Sequence, residues 1–213
     1  MSWVGDPKHD CHVFNTWLEA ANQRRVEELH LNMFCHLLNP IILSFRTLVV
    51  LKLERLYFGY DSSCVDLPLL KTLDLNYVYF QYGNSYINFI SACPNLEDLH
   101  TRQICTKTIH TRDVNNAPEE KSKSLILSRL VRACVDSMDD LFNGIDNVKF
   151  LQLFIYCKAS FKVIPVLPNL IHINLLFDGL LYGWDNVVKL LCHSPKLHIL
   201  SIRKVCRVVS LFV

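Results

Sequence analysis

The chain has 213 residues, of which 51% are hydrophobic and 20% are charged, and its formal net charge is +2. A chain this apolar buries a core, which excludes disorder, and the balanced charge argues against a dedicated nucleic-acid binder. No apolar run approaches the roughly 18 residues that a membrane-spanning helix needs, and the N-terminus has no secretory apolar core. We therefore expect a cytoplasmic or nuclear protein.

The N-terminal residues 1–12 are predicted to form a polar lead-in to the first helix. That helix is indicated by apolar residues at the i, i+3, i+4, i+7 spacing, namely Phe14, Trp17, Leu18 and Ala21. The cluster His9-Asp10-Cys11-His12 brings metal-ligating residue types together, but it has no second cluster to complete a site. We expect this segment to be solvated and to bind no metal.

One short pattern recurs along the chain: an apolar residue, two variable residues, leucine, one variable residue and another apolar residue. Its middle position, which we call the marker position, is Leu29, Leu51, Leu73, Leu99, Ala133, Leu151, Ile173 and Leu200. Most steps between markers fall within the window of about 20–29 residues that is typical of leucine-rich repeats. Residues two apart on a strand share a face, so the Leu-x-Leu pair is expected to point inward. Each unit is too small to bury its apolar side alone, so the neighbouring units of the stack must cover it.

The pattern predicts an α/β fold, a leucine-rich-repeat solenoid over residues 13–204, with a right-handed βα stack and a parallel concave sheet. Two return segments read as helices: Ser85 precedes a helix over 86–92 and Asp185 precedes a helix over 186–193. Pro94 and Pro195 end them. An ordinary α/β sheet is the competing fold, and the regular spacing favours the solenoid.

Residues 103–124 interrupt the repeats, because they are polar and lack the pattern. They predict a surface loop or a decayed repeat. The open ends of the stack are expected to leave apolar edges exposed at both termini, which predicts self-association of the isolated chain.

The nine cysteines are scattered, their number is odd, and no C-x-x-C pair occurs among them. A zinc site usually needs a close pair, and a disulfide framework usually needs an even number. We expect reduced, mostly buried thiols that act as small hydrophobic side chains.

In several phrases the sequence resembles the plant F-box/FBD/leucine-rich-repeat proteins. The phrases are FNTWLEAA at 14–21, RVEELHL at 25–31, LPLLKTLDL at 67–75, CPNLEDL at 93–99, LVRA at 130–133, NVKFL at 147–151, LPNL at 167–170, Trp184, and SPKL at 194–197. They keep one shared order over residues 11–204. An FBD-like region is expected to start at about 165–204, followed by a truncated tail at 205–213.

The resemblance implies a protein-interaction role. In that family an F-box binds a Skp-type adaptor of a cullin ubiquitin ligase, and the repeats hold the protein to be ubiquitinated. We expect no F-box upstream of residue 11, so the resemblance implies the substrate-recognition half, with an unknown protein substrate as partner. A Skp-type adaptor is expected only if a longer form carries an F-box.

Other function classes receive less support from the residues. There is no nucleophile elbow and no phosphate-cradling glycine-rich loop, so we expect no enzyme and no cofactor. Neither nucleic acid nor a membrane is an expected partner. A small-molecule, hormone-type sensing repeat domain and a non-functional gene fragment remain as alternatives.

The candidate binding residues are the variable ones that flank each marker, because they are expected to project from the concave sheet face. They are Glu28, His30, Asn32, Lys52, Glu54, Thr72, Asp74, Asn76, Asp98, His100, Arg102, Arg132, Asp136, Phe150, Gln152, Phe154, His172, Asn174, Ser201 and Arg203. The first half leans acidic and the second half basic or apolar. Phe150 and Phe154 are expected to be exposed anchors for a partner, or else to pack under a loop.

Overall fold

The computed structural model describes residues 7–59, 65–82, 85–106, 127–136, 144–155, 164–178 and 184–205. The helices are α1 (Pro7–Gln23), the 3₁₀ helix η1 (Pro40–Ser44), α2 (Ser85–Ser91) and α3 (Trp184–Cys192). The strands are β1 (Glu28–Leu37), β2 (Val50–Phe58), β3 (Thr72–Asn76), β4 (Tyr79–Phe80), β5 (Asp98–Arg102), β6 (Cys105–Thr106), β7 (Arg132–Val135), β8 (Phe150–Ile155), β9 (His172–Asp178) and β10 (Ile199–Val205).

One parallel sheet runs through the described residues, in the order β1-β2-β3-β5-β7-β8-β9-β10. The short strands β4 and β6 extend it beside the end of β2. The register pairs every marker residue with the marker of the next repeat, from Leu29 with Leu51 through to Ile173 with Leu200. The predicted α/β leucine-rich-repeat solenoid with a parallel sheet is therefore confirmed.

The marker row forms the centre of the core. From Leu51 to Ile173 every marker side chain is 0% exposed. A second row, two residues further along each strand, is also buried and includes Leu53, Leu75, Val135, Leu153 and Leu175. Each buried aliphatic side chain stabilises the fold by about 1.5–3 kcal/mol, so these rows dominate its stability.

A tight turn precedes each strand from β2 onward, except the short strands β4 and β6. In all seven turns the leading apolar residue donates its N–H to the carbonyl three residues earlier, as Leu70 does to Leu67. Four of them have proline at the second position, where its fixed φ suits the turn. Directly before each strand, two successive N–H groups donate to one carbonyl of the previous repeat, as Lys71 and Thr72 do to Val49. These bonds set the register before the strand begins.

Three residues in one row have left-handed backbones although none is glycine. Arg55, Tyr77 and Gln103 have φ values of 57°, 54° and 51°, and each directly follows a register-paired residue of β2, β3 or β5. The N–H of Tyr77 donates to the Arg102 carbonyl, and that of Gln103 donates to Asp136 Oδ2 at 2.6 Å. The sheet is thus kinked at the same level in three repeats.

The two end strands of the described sheet, β1 and β10, each pair with one neighbour but bury their marker residues to different extents. At the N-terminal end, α1 buries Phe14 and Leu18 in the core, and Leu29 is half-buried. Asn39 begins η1 by accepting the Ile41 N–H at 2.9 Å, and its Nδ2 donates to Asn15 Oδ1 of α1. At the C-terminal end, Leu200 is 42% exposed. Among the described strands, β10 is the one whose marker side chain is classed as exposed.

Several finer predictions are wrong. Helix α1 begins at Pro7, so residues 7–12 of the predicted polar lead-in already belong to the first helix. Trp17 is 67% exposed and does not share the buried face of α1, where Phe14 and Leu18 are buried and Ala21 packs against the core. Residues 105–106 form strand β6, although 103–124 were expected to be irregular, and 107–124 lie outside the described residues.

The cysteines are also less buried than expected. Of the four free thiols among the described side chains, Cys93 is buried, Cys134 is half-buried, and Cys105 and Cys192 are exposed. Cys105 follows the kink at Gln103, and Cys192 lies in the last turn of α3. The side chains of His9-Asp10-Cys11-His12 lie outside the described residues. No described helix combines the length and apolarity needed to cross a bilayer.

Candidate protein-interaction face

Three rows of side chains cross the sheet on the side opposite the core, and we call this surface the open face. The first row is Glu28, Val50, Thr72, Asp98, Arg132, Phe150, His172 and Ile199. The second is His30, Lys52, Asp74, His100, Cys134, Gln152, Asn174 and Ser201. The third holds Asn32, Glu54, Asn76 and Arg102, then Phe154, Leu176 and Arg203. Every candidate binding residue that lies within a strand falls in these rows, and Asp136 directly follows β7.

The part of the open face built by β1, β2, β3 and β5 is mainly acidic. It carries two basic residues, Lys52 and Arg102, and four acidic residues. The acidic residues are Glu28, Glu54, Asp74 and Asp98. Neighbouring strands tie some of these groups together: Asn32 Nδ2 donates to Glu54 Oε2 at 2.9 Å. Asp98 also forms a 3.4 Å ion pair with Arg132 on β7, at the border of the acidic part.

The part built by β7, β8 and β9 carries aromatic rings beside amides. Phe150 meets the His172 ring edge-to-face with 4.8 Å between centroids. The Arg102 guanidinium lies 5.6 Å above the centroid of the Phe154 ring, a cation–π contact. Both phenylalanines are half-buried, and the printed ring contacts are with neighbours on the same face. Their role as anchors for a partner stays a prediction.

Three buried polar atoms on the open face have no hydrogen-bond partner within the described residues. They are Asn76 Oδ1, His172 Nε2 and Asn174 Oδ1. Asn174 is only 9% exposed, and its Nδ2 donates to Gln152 Oε1 at 2.8 Å while its oxygen accepts nothing. An unsatisfied buried polar atom costs about 1–3 kcal/mol. Such atoms need an explanation, and here all three lie on one face.

Cys134 is an open-face residue that the sequence analysis does not include among the candidates. Its position between the inward residues Ala133 and Val135 is the signal that places it on this face. It lies in one row with Asp74 and His100, residue types that can form a nucleophilic site. Burial, and then the nearby carboxylates of Asp74 and Asp98, raise its pKa to about 11. The thiol is therefore protonated at neutral pH, and the thiolate is the reactive form. Within the described residues, no hydrogen bond joins the three side chains.

Other features of the described residues lie away from the open face. A shallow cleft of about 470 Å³ lies among the segments that lead into the strands and is lined by Glu97, Arg129, Lys149 and Asn169, among others. Within the described part of the chain, no group of three or more His, Cys, Asp or Glu side chains is placed to hold a metal ion.

No protein-family model matches the chain. An F-box/LRR-repeat protein of Arabidopsis thaliana is 28% identical over 244 residues, covering 88% of this chain and 44% of the relative. An F-box/FBD/LRR-repeat protein of the same plant is 27% identical over 236 residues, covering 88% and 55%. An FBD-associated F-box protein is 41% identical over 86 residues, covering 39% and 21%.

The chain thus spans about half the length, or less, of these relatives. The long matches extend over nearly all the repeats and agree with the resemblance seen in the repeat phrases. The homologues of this chain are Arabidopsis F-box/FBD/LRR-repeat proteins, and its fold is the leucine-rich-repeat solenoid that their names describe.

Proposed function

We propose that the chain is a non-catalytic protein-interaction module whose open face holds another protein. The observation that carries this proposal is the set of three buried, unpartnered polar atoms on a polar and aromatic sheet surface. If the side chains of Asn76 and Asn174 turn toward a bound protein, hydrogen bonds donated to their Oδ1 atoms would remove a desolvation cost of about 1–3 kcal/mol each. The half-buried Phe150 and Phe154 would supply apolar contact area beside them.

The names of the homologues support a ubiquitin-ligase setting for this role. In an F-box receptor, the F-box binds a Skp-type adaptor and the repeats hold the substrate. We propose that an unidentified protein substrate binds the repeats of this chain in the cytoplasm or nucleus. A Skp-type adaptor joins only in a form of the protein that carries an F-box.

The first experiment locates the partner on the surface by photo-crosslinking. A benzophenone amino acid replaces Gln152 on the open face or, as a control, Glu19, which is exposed on α1. Crosslinking in a plant extract is expected to capture one partner from position 152 but not from position 19. Capture of the same protein from both positions with equal yield would contradict an open-face site.

The second experiment measures the affinity of the captured partner, once purified. Replacing Phe150 and Phe154 together by alanine is expected to weaken binding by about 2 kcal/mol or more, which is the scale of an interface hot spot. Trp17→Ala removes an exposed aromatic ring from α1 and serves as the matched control. A folded double variant that binds as tightly as the wild-type chain would refute the role of the two rings.

A further inference from the structure

The shallow cleft in the middle of the stack lies at the edge of the sheet where the strands begin. It has a volume of about 470 Å³ and lies among the residues that lead into β5, β7, β8 and β9. Glu97, Val131 and Lys149, each directly before a strand, line it together with Ser128 and Arg129 of the turn before β7. Its lining includes no residue of the three open-face rows.

Arg129 stands at a position that other turns use to bind their neighbours. In three turns the residue before the leading apolar residue is an asparagine, whose Nδ2 donates to a carbonyl of the preceding turn. These bonds run from Asn95 to Pro68 at 2.6 Å, from Asn147 to Ser128 at 2.8 Å and from Asn169 to Asp146 at 3.4 Å. Within the described residues the Arg129 side chain makes no such bond. Its guanidinium is therefore left over from the contacts that hold the turns together.

The charges of the cleft leave two cations without a counter-ion. The carboxylate of Glu97 is already paired, because its Oε1 lies 3.1 Å from Lys71 Nζ. The side chains of Arg129 and Lys149 make no ion pair or hydrogen bond within the described part of the chain. The Ser128 hydroxyl adds a further donor beside them. The cleft is therefore suited to an anionic group with several acceptor oxygens.

The shape of the cleft favours a segment of a protein over a small molecule. Small-molecule sites usually enclose most of the ligand, whereas this cleft is shallow and lies along the sheet edge. Val131, which is 38% exposed, provides apolar surface between the two cations in the chain. An acidic segment that also carries an aliphatic side chain matches both features.

We propose that this cleft is a second binding surface, which takes an acidic segment of another protein. The planar guanidinium of Arg129 binds one carboxylate through two parallel hydrogen bonds, and Lys149 pairs with a second carboxylate. An aliphatic side chain of the segment covers Val131. The surface goes beyond the role proposed for the open face, and either can fail without the other.

The test uses the 213-residue chain and a fluorescein-labelled synthetic peptide. The peptide has Asp-Glu-Leu-Asp-Glu at its centre and flanking Gly and Ser residues for solubility. Fluorescence anisotropy is expected to show saturable binding. The same peptide with Asn and Gln in place of Asp and Glu is expected to bind at least about tenfold more weakly.

Two double variants with equal loss of charge locate the binding on the surface. Arg129→Gln with Lys149→Gln is expected to weaken binding of the acidic peptide at least about tenfold. The control, Arg24→Gln with Lys189→Gln, removes two exposed cations from α1 and α3 and is expected to leave binding unchanged.

Arg129→Asn separates binding from folding. It introduces the residue that three other turns carry at this position, so the melting temperature is expected to stay the same or rise. Peptide binding is nevertheless expected to be weakened. A lower melting temperature together with unchanged binding would make Arg129 a structural residue.

Four further results would overturn the proposal. They include the absence of saturable binding and equal loss of binding in the two double variants. Inorganic phosphate that binds more tightly than the peptide, in competition at constant ionic strength, would assign the cleft to a free anion. Peptide binding that appears only after Glu119→Gln and Glu120→Gln would assign it to that acidic pair of the chain itself.

Discussion

Arg25 ends helix α1 in the left-handed conformation that usually belongs to glycine. Its φ is 54°, its N–H donates to the Asn22 carbonyl, and the N–H of Val26 donates to the Ala21 carbonyl. This is the hydrogen-bond pattern of a Schellman motif, in which a residue with a Cβ carries a steric cost.

Arg25→Gly is therefore expected to stabilise the protein, by up to about 1 kcal/mol, because glycine relieves that cost. Arg24→Gly is the control, since Arg24 has no positive φ and glycine there only adds freedom to the unfolded chain. Urea unfolding of the two variants measures the difference. Equal destabilisation by both substitutions would contradict the assignment of the motif.

Cys93 is the described thiol with the largest change in acidity. Burial raises its pKa from the usual value of 9.0 to about 12. Its Sγ lies 3.4 Å from the Phe89 carbonyl oxygen, to which the protonated thiol donates. Below pH 9 both the folded and the unfolded chain keep this proton, so Cys93 adds no pH dependence there.

Above pH 9 the unfolded chain loses the Cys93 proton while the folded chain retains it until about pH 12. Stability is therefore expected to fall as pH rises through this range, by at most about 1.4 kcal/mol per pH unit from this group. Cys93→Ala is expected to be less stable at neutral pH but to lose that part of the slope. Urea unfolding at several pH values measures it, and an unchanged slope in the variant would contradict a buried thiol.

At the scale of elements, the place of a strand in the stack decides how much its marker residue contributes. Leu73 on β3 is 0% exposed between β2 and β5, whereas Leu200 on β10, the last described strand, is 42% exposed. A marker leucine is thus packed between two neighbouring strands at Leu73 but against only one described strand at Leu200.

Leu73→Ala is expected to destabilise the protein by about 2–5 kcal/mol, because it opens a cavity between two packed repeats. Leu200→Ala is expected to cost less than about 1 kcal/mol, because much of the side chain is already in water. Thermal or urea unfolding compares the two variants directly. Similar losses for both would mean that β10 is covered in solution.

The elements also show what the sequence could and could not predict. The sequence predicts the marker row, the turns before the strands, and helices α2 and α3, because leucine spacing and proline positions report on local geometry. It does not predict the kinks at Arg55, Tyr77 and Gln103, because a positive φ is usually indicated by a glycine and none of these residues is glycine. The 3₁₀ helix η1 had a usable signal, Asn39 followed by Pro40, that was passed over.

At the scale of the whole molecule, the open-face residues could be placed because the alternation of a strand fixes which side each residue faces. Their contacts could not be predicted. The position of Arg102 over Phe154 joins β5 to β8 across β7, and such a contact depends on rotamers in three repeats.

The fold rests on one row of aliphatic side chains that stack from repeat to repeat. Methyl-labelled NMR of leucine and isoleucine tests this directly. Strands about 4.8 Å apart predict strong methyl NOEs between Leu51 and Leu73 and between Leu151 and Ile173. No NOE is expected between Leu51 and Leu151, which lie four strands apart. If the two neighbour pairs give no cross-peak, or the distant pair does, the stacked row does not exist and the open face built on it is lost.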